Sequence, residues 1–95
     1  MNLRIYGPAR LDIEQAFDFI AKDSPRAARD VIERILTALE ALRETPRMGR
    51  PGRVAGTREL IVRHTAYIAV YEVTDQGIAV VRVIHGRQNW PGPTP

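Results

Sequence analysis

The stretch YIAVYEVTDQGIAVVRVI, from Tyr67 to Ile84, decides the fold of this chain. Two runs rich in β-branched and aromatic residues, 67–74 and 78–84, flank the turn residues Asp75-Gln76-Gly77. Such runs on either side of a short turn predict a β-hairpin. Arg82 is the only polar residue of the second run.

A turn at Asp75-Gln76 makes the numbers of opposed residues sum to 151, which places Arg82 opposite Ala69. Alternation along each strand then sorts the side chains onto two faces. The nearly aliphatic face is expected to meet the helices, and it holds Ile68, Val70, Glu72, Ala79, Val81 and Val83. The other face is expected to be open, and it holds Tyr67, Ala69, Tyr71, Val73, Ile78, Val80, Arg82 and Ile84. An arginine between two tyrosines on an open sheet predicts a platform for nucleic acid.

His85 follows this hairpin directly. It is a candidate general base, because histidine is the residue type whose unperturbed pKa lies near neutrality. The alternative interpretation is a histidine at a strand end, hydrogen-bonded to backbone. His85 lies three residues after Arg82, so an unbroken strand would send it to the helix side. The two side chains share a site only if the strand ends or bulges near Ile84, which Gly86 permits. Trp90 is expected to fold back over the sheet edge or the helix ends.

The preceding chain predicts one short strand and two helices. Asn2 to Tyr6 alternates as a strand does, and apolar residues with helical spacing follow from Ala9. Ser24 and Pro25 are typical of an N-cap and a first helical position, and Pro46 ends the second helix. The segments expected next are a loop over 46–56 and a strand over 58–63.

The predicted order is therefore β-α-α-β-β-β, an α+β fold. A helical hairpin would pack on one face of a mostly antiparallel, four-stranded sheet. Residues 1–91 are expected to form a single domain, and 92–95 a flexible, Pro-rich tail.

Composition excludes several classes of site and location. The 95 residues contain no Cys, which rules out disulfides and Cys-based zinc sites. The two histidines, His64 and His85, have no carboxylate at ligand spacing, so neither a metal site nor a small-molecule cofactor is predicted. The sequence contains no apolar stretch of membrane-spanning length. We expect no signal peptide, and a cytoplasmic protein that does not bind membranes.

The charge is uneven along the chain. Residues 1–44 carry eight acidic and seven basic side chains (−1), whereas residues 45–95 carry three acidic and seven basic (+4). A basic C-terminal half predicts an acidic partner, either nucleic acid or protein. Its arginines around the Gly/Pro loop are a solvated surface or a binding site: Arg47, Arg50, Arg53, Arg58 and Arg63. Glu59 and Glu72 are expected to be ordinary surface charges.

The chain resembles the RelE/ParE superfamily of bacterial toxins from about Leu3 to Pro91. The resemblance rests on the predicted element order, on PRMGRP at 46–51, on Arg58-Glu59-Leu60, on the Tyr67 and Tyr71 strand, and on RVIHGR at 82–87. It implies the toxin half of a type II toxin–antitoxin pair, often a plasmid-stabilisation module. Its partner would be a co-encoded antitoxin that wraps the toxin with a helical, often acidic segment.

What the resemblance implies about mechanism divides into two branches. RelE-like members cleave messenger RNA on the ribosome, and there Arg82, His85 and Arg63 would correspond to the catalytic set. ParE-like members inhibit DNA gyrase and lack that set. This chain has no Tyr after residue 71 and no Lys-rich strand, which is nearer the ParE-like branch.

Three hypotheses about function follow. The first is a gyrase inhibitor that works by binding. For binding ribosomal RNA, DNA or an acidic partner protein, the candidate residues are Arg47, Arg50, Arg53, Arg58, Tyr67, Tyr71 and Arg87. The second is a ribosome-dependent mRNA endoribonuclease, and the sequence leaves open whether the chain is an enzyme. The third is a non-toxic module that binds its antitoxin as a co-repressor.

Overall fold

A computed structural model describes residues 1–92. The described chain contains two helices and five strands, in the order β1 (Leu3–Ile5), α1 (Gly7–Ala21), α2 (Pro25–Ala41), β2 (Arg50–Pro51), β3 (Arg58–Ile61), β4 (Tyr67–Thr74) and β5 (Gly77–His85). The strands lie side by side as β1-β5-β4-β3-β2. All pairs are antiparallel except β1 with β5.

The α+β class and the mostly antiparallel sheet are confirmed, with one strand more than expected. The extra strand is the two-residue β2, which lies inside the segment predicted as a loop and pairs with Arg58 and Glu59. The predicted tail lies partly outside the described residues, which end at Gly92.

The second helix begins where the sequence predicts. The Ser24 hydroxyl accepts a hydrogen bond from the Ala27 N–H (3.1 Å), and Pro25 occupies the first turn of α2. This cap satisfies one of the N–H groups that a helix start leaves without a partner. The buried residues of α2 form one stripe facing the sheet: Ala28, Ile35 and Leu39.

The predicted assignment of the two sheet faces is wrong for most of the hairpin. Tyr67, Ala69 and Tyr71 belong to the buried cluster under the helices, together with Ile78 and Val80. The aliphatic side chains of Ile68, Val70, Val81 and Ile84 lie on the opposite face. Both faces are apolar, so alternation alone could not show which one meets the helices. The aliphatic face is covered instead by Trp90, which folds back onto this face and not over the sheet edge or the helix ends as expected.

A β-bulge changes the alternation within β5. Tyr71 pairs with Val80 but Val70 pairs with Arg82, so Val81 is an extra residue on β5. Arg82 consequently lies opposite Val70 and not opposite Ala69 as predicted. Beyond the bulge, Val83 packs with the helices and Ile84 with the outer face, as the alternation had placed them.

Candidate functional site at the end of β5

Arg82 is held between a carboxylate and an indole ring. Its Nε and Nη2 donate to the Asp12 carboxylate of α1 at 2.7 and 3.1 Å. Its guanidinium carbon lies 5.3 Å from the centre of the Trp90 ring, a cation–π contact. The hydrogen bonds that Arg82 donates to the Asp12 carboxylate raise the pKa of Arg82. The predicted position of Arg82 between Tyr67 and Tyr71 on an open face is wrong, because both tyrosines are buried on the helix side.

Asp12 serves a second purpose at this place. Its Oδ2 also accepts a hydrogen bond from the backbone N–H of Val83 (2.8 Å). β1 pairs with β5 only at residues 78–80, so among residues 1–92 the second half of β5 has no neighbouring strand on that side. The carboxylate supplies an acceptor where a strand would have supplied a carbonyl. The sequence analysis did not single out Asp12, because within α1 it is one polar position among several of an amphipathic helix.

His85 lies on the other side of the strand from Arg82. Its ring meets Tyr67 edge-on, with ring centres 5.4 Å apart, and burial raises the pKa of that tyrosine. The strand continues through Ile84 to His85, and the bulge precedes Arg82, so the break required for a shared site is absent. The condition that would have brought His85 and Arg82 together is not met.

The hydrogen bonds of His85 bear on its candidate role. Nδ1 accepts from the backbone N–H of Arg87 (3.0 Å), and the His85 carbonyl accepts from the Gln88 N–H (2.8 Å). With Nδ1 as an acceptor, the neutral ring carries its proton on Nε2. In this state Nε2 can donate a hydrogen bond, whereas Nδ1, the nitrogen that could accept a proton, is already bonded to the backbone. The arrangement therefore suits a hydrogen-bond donor better than a general base, and it matches the alternative of a histidine bonded to backbone.

Glu59 contradicts the prediction of an ordinary surface charge. It is only 2% exposed, and its carboxylate accepts hydrogen bonds from Arg53 N (2.9 Å), Arg53 Nε (3.2 Å), Arg53 Nη2 (3.1 Å) and Arg50 Nη2 (3.3 Å). The bonds from Arg53 outweigh the effect of burial, and with Arg50 they lower the pKa of Glu59 to about 2. Two of the predicted binding arginines therefore stabilise the loop before β3.

Tyr71 and Arg58 hold the same loop by hydrogen bonds, on the face of the sheet that meets the helices. The Tyr71 hydroxyl donates to the Pro46 carbonyl (2.7 Å) and accepts from the Gly49 N–H (2.9 Å). Arg58 Nη1 donates to the Gly49 carbonyl (2.7 Å). A Cβ at position 49 would lie 2.7 Å from the Tyr71 hydroxyl, so glycine is required for this close approach. Both predicted binding residues have structural roles here.

The remaining predicted arginines are exposed and do not gather around Arg82. Arg63 follows β3 and is separated from β5 by β4. Arg47 lies in the loop after α2, and Arg87 in the turn after β5. Within residues 1–92, no three His, Cys, Asp or Glu side chains are grouped as a metal site would need. No helix in this part of the chain is long and apolar enough to cross a membrane.

Comparison with known proteins identifies the family. Residues 3–90 match the family described as "ParE toxin of type II toxin-antitoxin system, parDE". The chain belongs to the ParE toxin family. It is 44% identical over 73 residues to the "Putative toxin Y4kP" of Sinorhizobium fredii, covering 77% of this chain and 75% of that protein. It is also 36% identical over 77 residues to the toxin RelE2 of Caulobacter vibrioides, covering 81% and 85%.

Solved structures agree with this family assignment. The ParE-family chain superimposes on a chain of the chromosomal ParDE toxin–antitoxin system from P. aeruginosa with a TM-score of 0.82, at 23% identity and over 90% of this chain and 95% of the other. Against a chain of the RelBE2 toxin–antitoxin complex from Mycobacterium tuberculosis the TM-score is 0.56, at 29% identity and over 88% and 95% of the two chains. At 23% identity, the similarity to the P. aeruginosa chain concerns the fold alone, and it supports the architecture of two helices on a mixed sheet.

Proposed function

We propose that this ParE-family toxin inhibits growth in the bacterial cytoplasm by binding DNA gyrase, and that a cognate acidic antitoxin neutralises it. The observation that carries the proposal is the separation of the three candidate catalytic side chains. Arg82 is engaged by Asp12 and Trp90, His85 lies on the other face, and Arg63 lies beyond β4. RNA cleavage needs a base and a phosphate-binding cation around one ribose and phosphate.

Binding would use the arginines that the fold leaves at the surface. Arg47, Arg63 and Arg87 are exposed, and none of them forms an ion pair with another described residue. Arg50, Arg53 and Arg82, by contrast, are ion-paired with Glu59 or Asp12. Exposed guanidinium groups favour partners with carboxylates or phosphates. An acidic antitoxin and an acidic surface of gyrase both fit this charge.

A supercoiling assay with purified gyrase and relaxed plasmid tests the target. We expect the wild-type chain in excess to stop supercoiling, and addition of the antitoxin to restore it. Arg47→Glu and Arg87→Glu should weaken inhibition, whereas Arg26→Glu, on an exposed position of α2, serves as the matched control. Full supercoiling at excess wild-type toxin would remove gyrase as the target.

Ribosome-dependent mRNA cleavage is the second candidate, favoured by the similarity to the toxin RelE2 of Caulobacter vibrioides. Primer extension on a defined message in a cell-free translation reaction tests it. New 5′ ends that require ribosomes and disappear with His85→Ala or Arg82→Ala would establish a nuclease and overturn the gyrase proposal. Harmless overexpression without the antitoxin would instead favour the non-toxic co-repressor.

A further inference from the structure

A small open pocket lies at the end of the sheet where β3 begins. Its volume is about 270 Å³, and it is lined by Arg47, Pro51, Gly56, Thr57, Arg58 and Val73. Directly opposed residues of paired strands share a face of the sheet, and Arg58 is opposite Tyr71, which packs in the core under the helices. None of the lining residues belongs to a helix. The pocket is therefore on the helix side of the sheet, beyond the part that the helices cover.

The charge of this pocket is positive and not compensated. Its two charged residues are Arg47 and Arg58, and no carboxylate lines it. Within residues 1–92 neither arginine forms an ion pair, whereas Arg50 and Arg53 of the neighbouring loop are paired with Glu59. Two guanidinium groups without a counter-charge favour an anion between them.

The Arg58 guanidinium is held in place with half of its donors unused. Its Nη1 donates to the Gly49 carbonyl (2.7 Å) and lies 3.5 Å from the Arg47 carbonyl. These are the hydrogen bonds that the group makes within residues 1–92, and they leave Nε and Nη2 without an acceptor there. A guanidinium plane that is already fixed loses little further freedom when its remaining donors bind a ligand.

The turn over residues 54–57 contributes a wall without a side chain. The Thr57 N–H donates to the Val54 carbonyl (3.1 Å), and Gly56 has a φ of 84°. This is the left-handed conformation that a type II turn requires at its third residue and that glycine adopts without strain. Because this position favours glycine, the pocket stays open at this wall.

We propose that this pocket binds a phosphate group. Nε and Nη2 of Arg58 are the same two donors with which Arg82 grips the Asp12 carboxylate, and two parallel donors match two oxygens of a phosphate equally well. Arg47 supplies a second positive charge from the exposed rim. An open pocket accepts the phosphate of a free ester or of a nucleic acid backbone. The inference goes beyond the proposed function and does not depend on gyrase being the target.

NMR of the arginine Nε–H groups, during titration of the full chain with inorganic phosphate, tests the proposal. The Arg58 signal should shift and saturate with phosphate but not with chloride at equal ionic strength. The Arg82 signal is the internal control, since its donors are already bonded to Asp12. This readout uses the wild-type chain and does not depend on any variant folding.

Three variants sharpen the titration. Arg58→Lys keeps the charge and a donor for the Gly49 carbonyl but lacks the paired donors, and it should weaken phosphate binding at least about tenfold. Arg47→Gln removes the second charge and should weaken binding at least about threefold. Arg26→Gln, at an exposed position of α2, is the matched control and should change the affinity less than about twofold.

A second titration with a duplex oligonucleotide distinguishes the two sources of phosphate. Tighter binding than to free phosphate, with a salt dependence that falls by about one phosphate contact in Arg47→Gln, assigns the group to a nucleic acid backbone. Binding of free phosphate alone assigns it to a small phosphate ester, and either result supports the site. An Arg58 signal that responds to neither titrant, or equal affinities in wild type and both pocket variants, would overturn the proposal. Because no gyrase is present, such a failure is separate from a failure of the proposed target.

Discussion

Two ion-paired clusters in this toxin reverse the roles of arginine and carboxylate. Around Glu59 the carboxylate is central, with a side chain 1% exposed, and Arg50 and Arg53 surround it at 55% and 43% exposure. Around Arg82 the guanidinium is central, placed between Trp90 and an Asp12 that is 12% exposed. The first cluster joins residues six and nine positions apart, and the second joins residues 70 apart.

The difference separates a local role from a long-range one. The Glu59 cluster fixes the short loop and β2 against β3, whereas the Arg82 cluster fastens α1 to the far half of β5. A basic composition therefore does not by itself describe a binding surface. Three of the seven basic residues after position 44 are ion-paired in these clusters, and Arg58 is bonded to a backbone carbonyl.

Removing the Glu59 carboxylate should have the largest effect on stability. We expect Glu59→Ala to lower the free energy of unfolding by about 3–4 kcal/mol, because four hydrogen bonds to a buried charge are lost. Urea denaturation followed by circular dichroism measures the change. Glu72→Ala, a half-buried position on β4, is the matched control and should cost less than about 1 kcal/mol. A similar loss in both variants would contradict the central role of Glu59.

Acid should reveal the same cluster without mutation. The pKa of Glu59 is about 2 in the folded chain against an ordinary value of 4.5. A lowered pKa adds stability that is fully present above about pH 5 and is lost as the pH falls towards 2. We expect roughly 2–3 kcal/mol of stability to disappear over that range in the wild type, and substantially less in Glu59→Gln. Parallel pH profiles of the two proteins would argue against this assignment.

The Arg82 cluster should be weaker but should act between the two layers. Asp12→Ala removes the acceptor of both the Arg82 guanidinium and the Val83 N–H, and we expect a loss of about 2 kcal/mol. Asp12→Asn keeps a neutral acceptor and should lose about half as much. Combining Asp12→Ala with Arg82→Ala in a double-mutant cycle measures the coupling directly. Additive effects would show that the pair contributes nothing beyond its separate contacts.

The smallest effect is expected from the hydroxyl that positions the Glu59 loop. Tyr71→Phe removes the hydrogen bonds to Pro46 and Gly49 and should cost about 1–1.5 kcal/mol. The ring stays in the core, so the loss should come with faster hydrogen exchange at Gly49 and little change at Val83. Tyr67→Phe is the control, since Tyr67 packs in the same core on the same strand. Equal hydrogen exchange at Gly49 in Tyr71→Phe and Tyr67→Phe would contradict the role of the Tyr71 hydroxyl in positioning the loop.

Local signals in the sequence predicted the elements well. The cap at Ser24 and the strand over 67–74 are found at the predicted residues. The two-residue β2 was missed because its Gly- and Pro-rich segment has no strand pattern; its pairing depends on Glu59 and Tyr71 holding the loop. β2 therefore forms because of tertiary contacts and not because of a strand pattern in its own sequence.

The faces of the sheet and the contents of the site could not be predicted in the same way. Both faces of the hairpin are apolar, and the choice between them depends on where Trp90 returns and where the bulge at Val81 falls. Asp12 acts on residues about 70 positions away, and no pattern within α1 marks it. The sequence singled out Arg82 as a polar residue in an apolar run, but its partners are set by the tertiary structure.

The carboxylate of Asp12 has a consequence for how this protein behaves at high concentration. Exposed sheet edges are the places where misfolded or refolding chains pair and aggregate. At Val83 the backbone donor is already occupied by a side chain, so this flank of the sheet resists such pairing. Asp12→Ala should therefore reduce refolding yield more than its loss of stability alone would explain, with the excess loss growing with protein concentration.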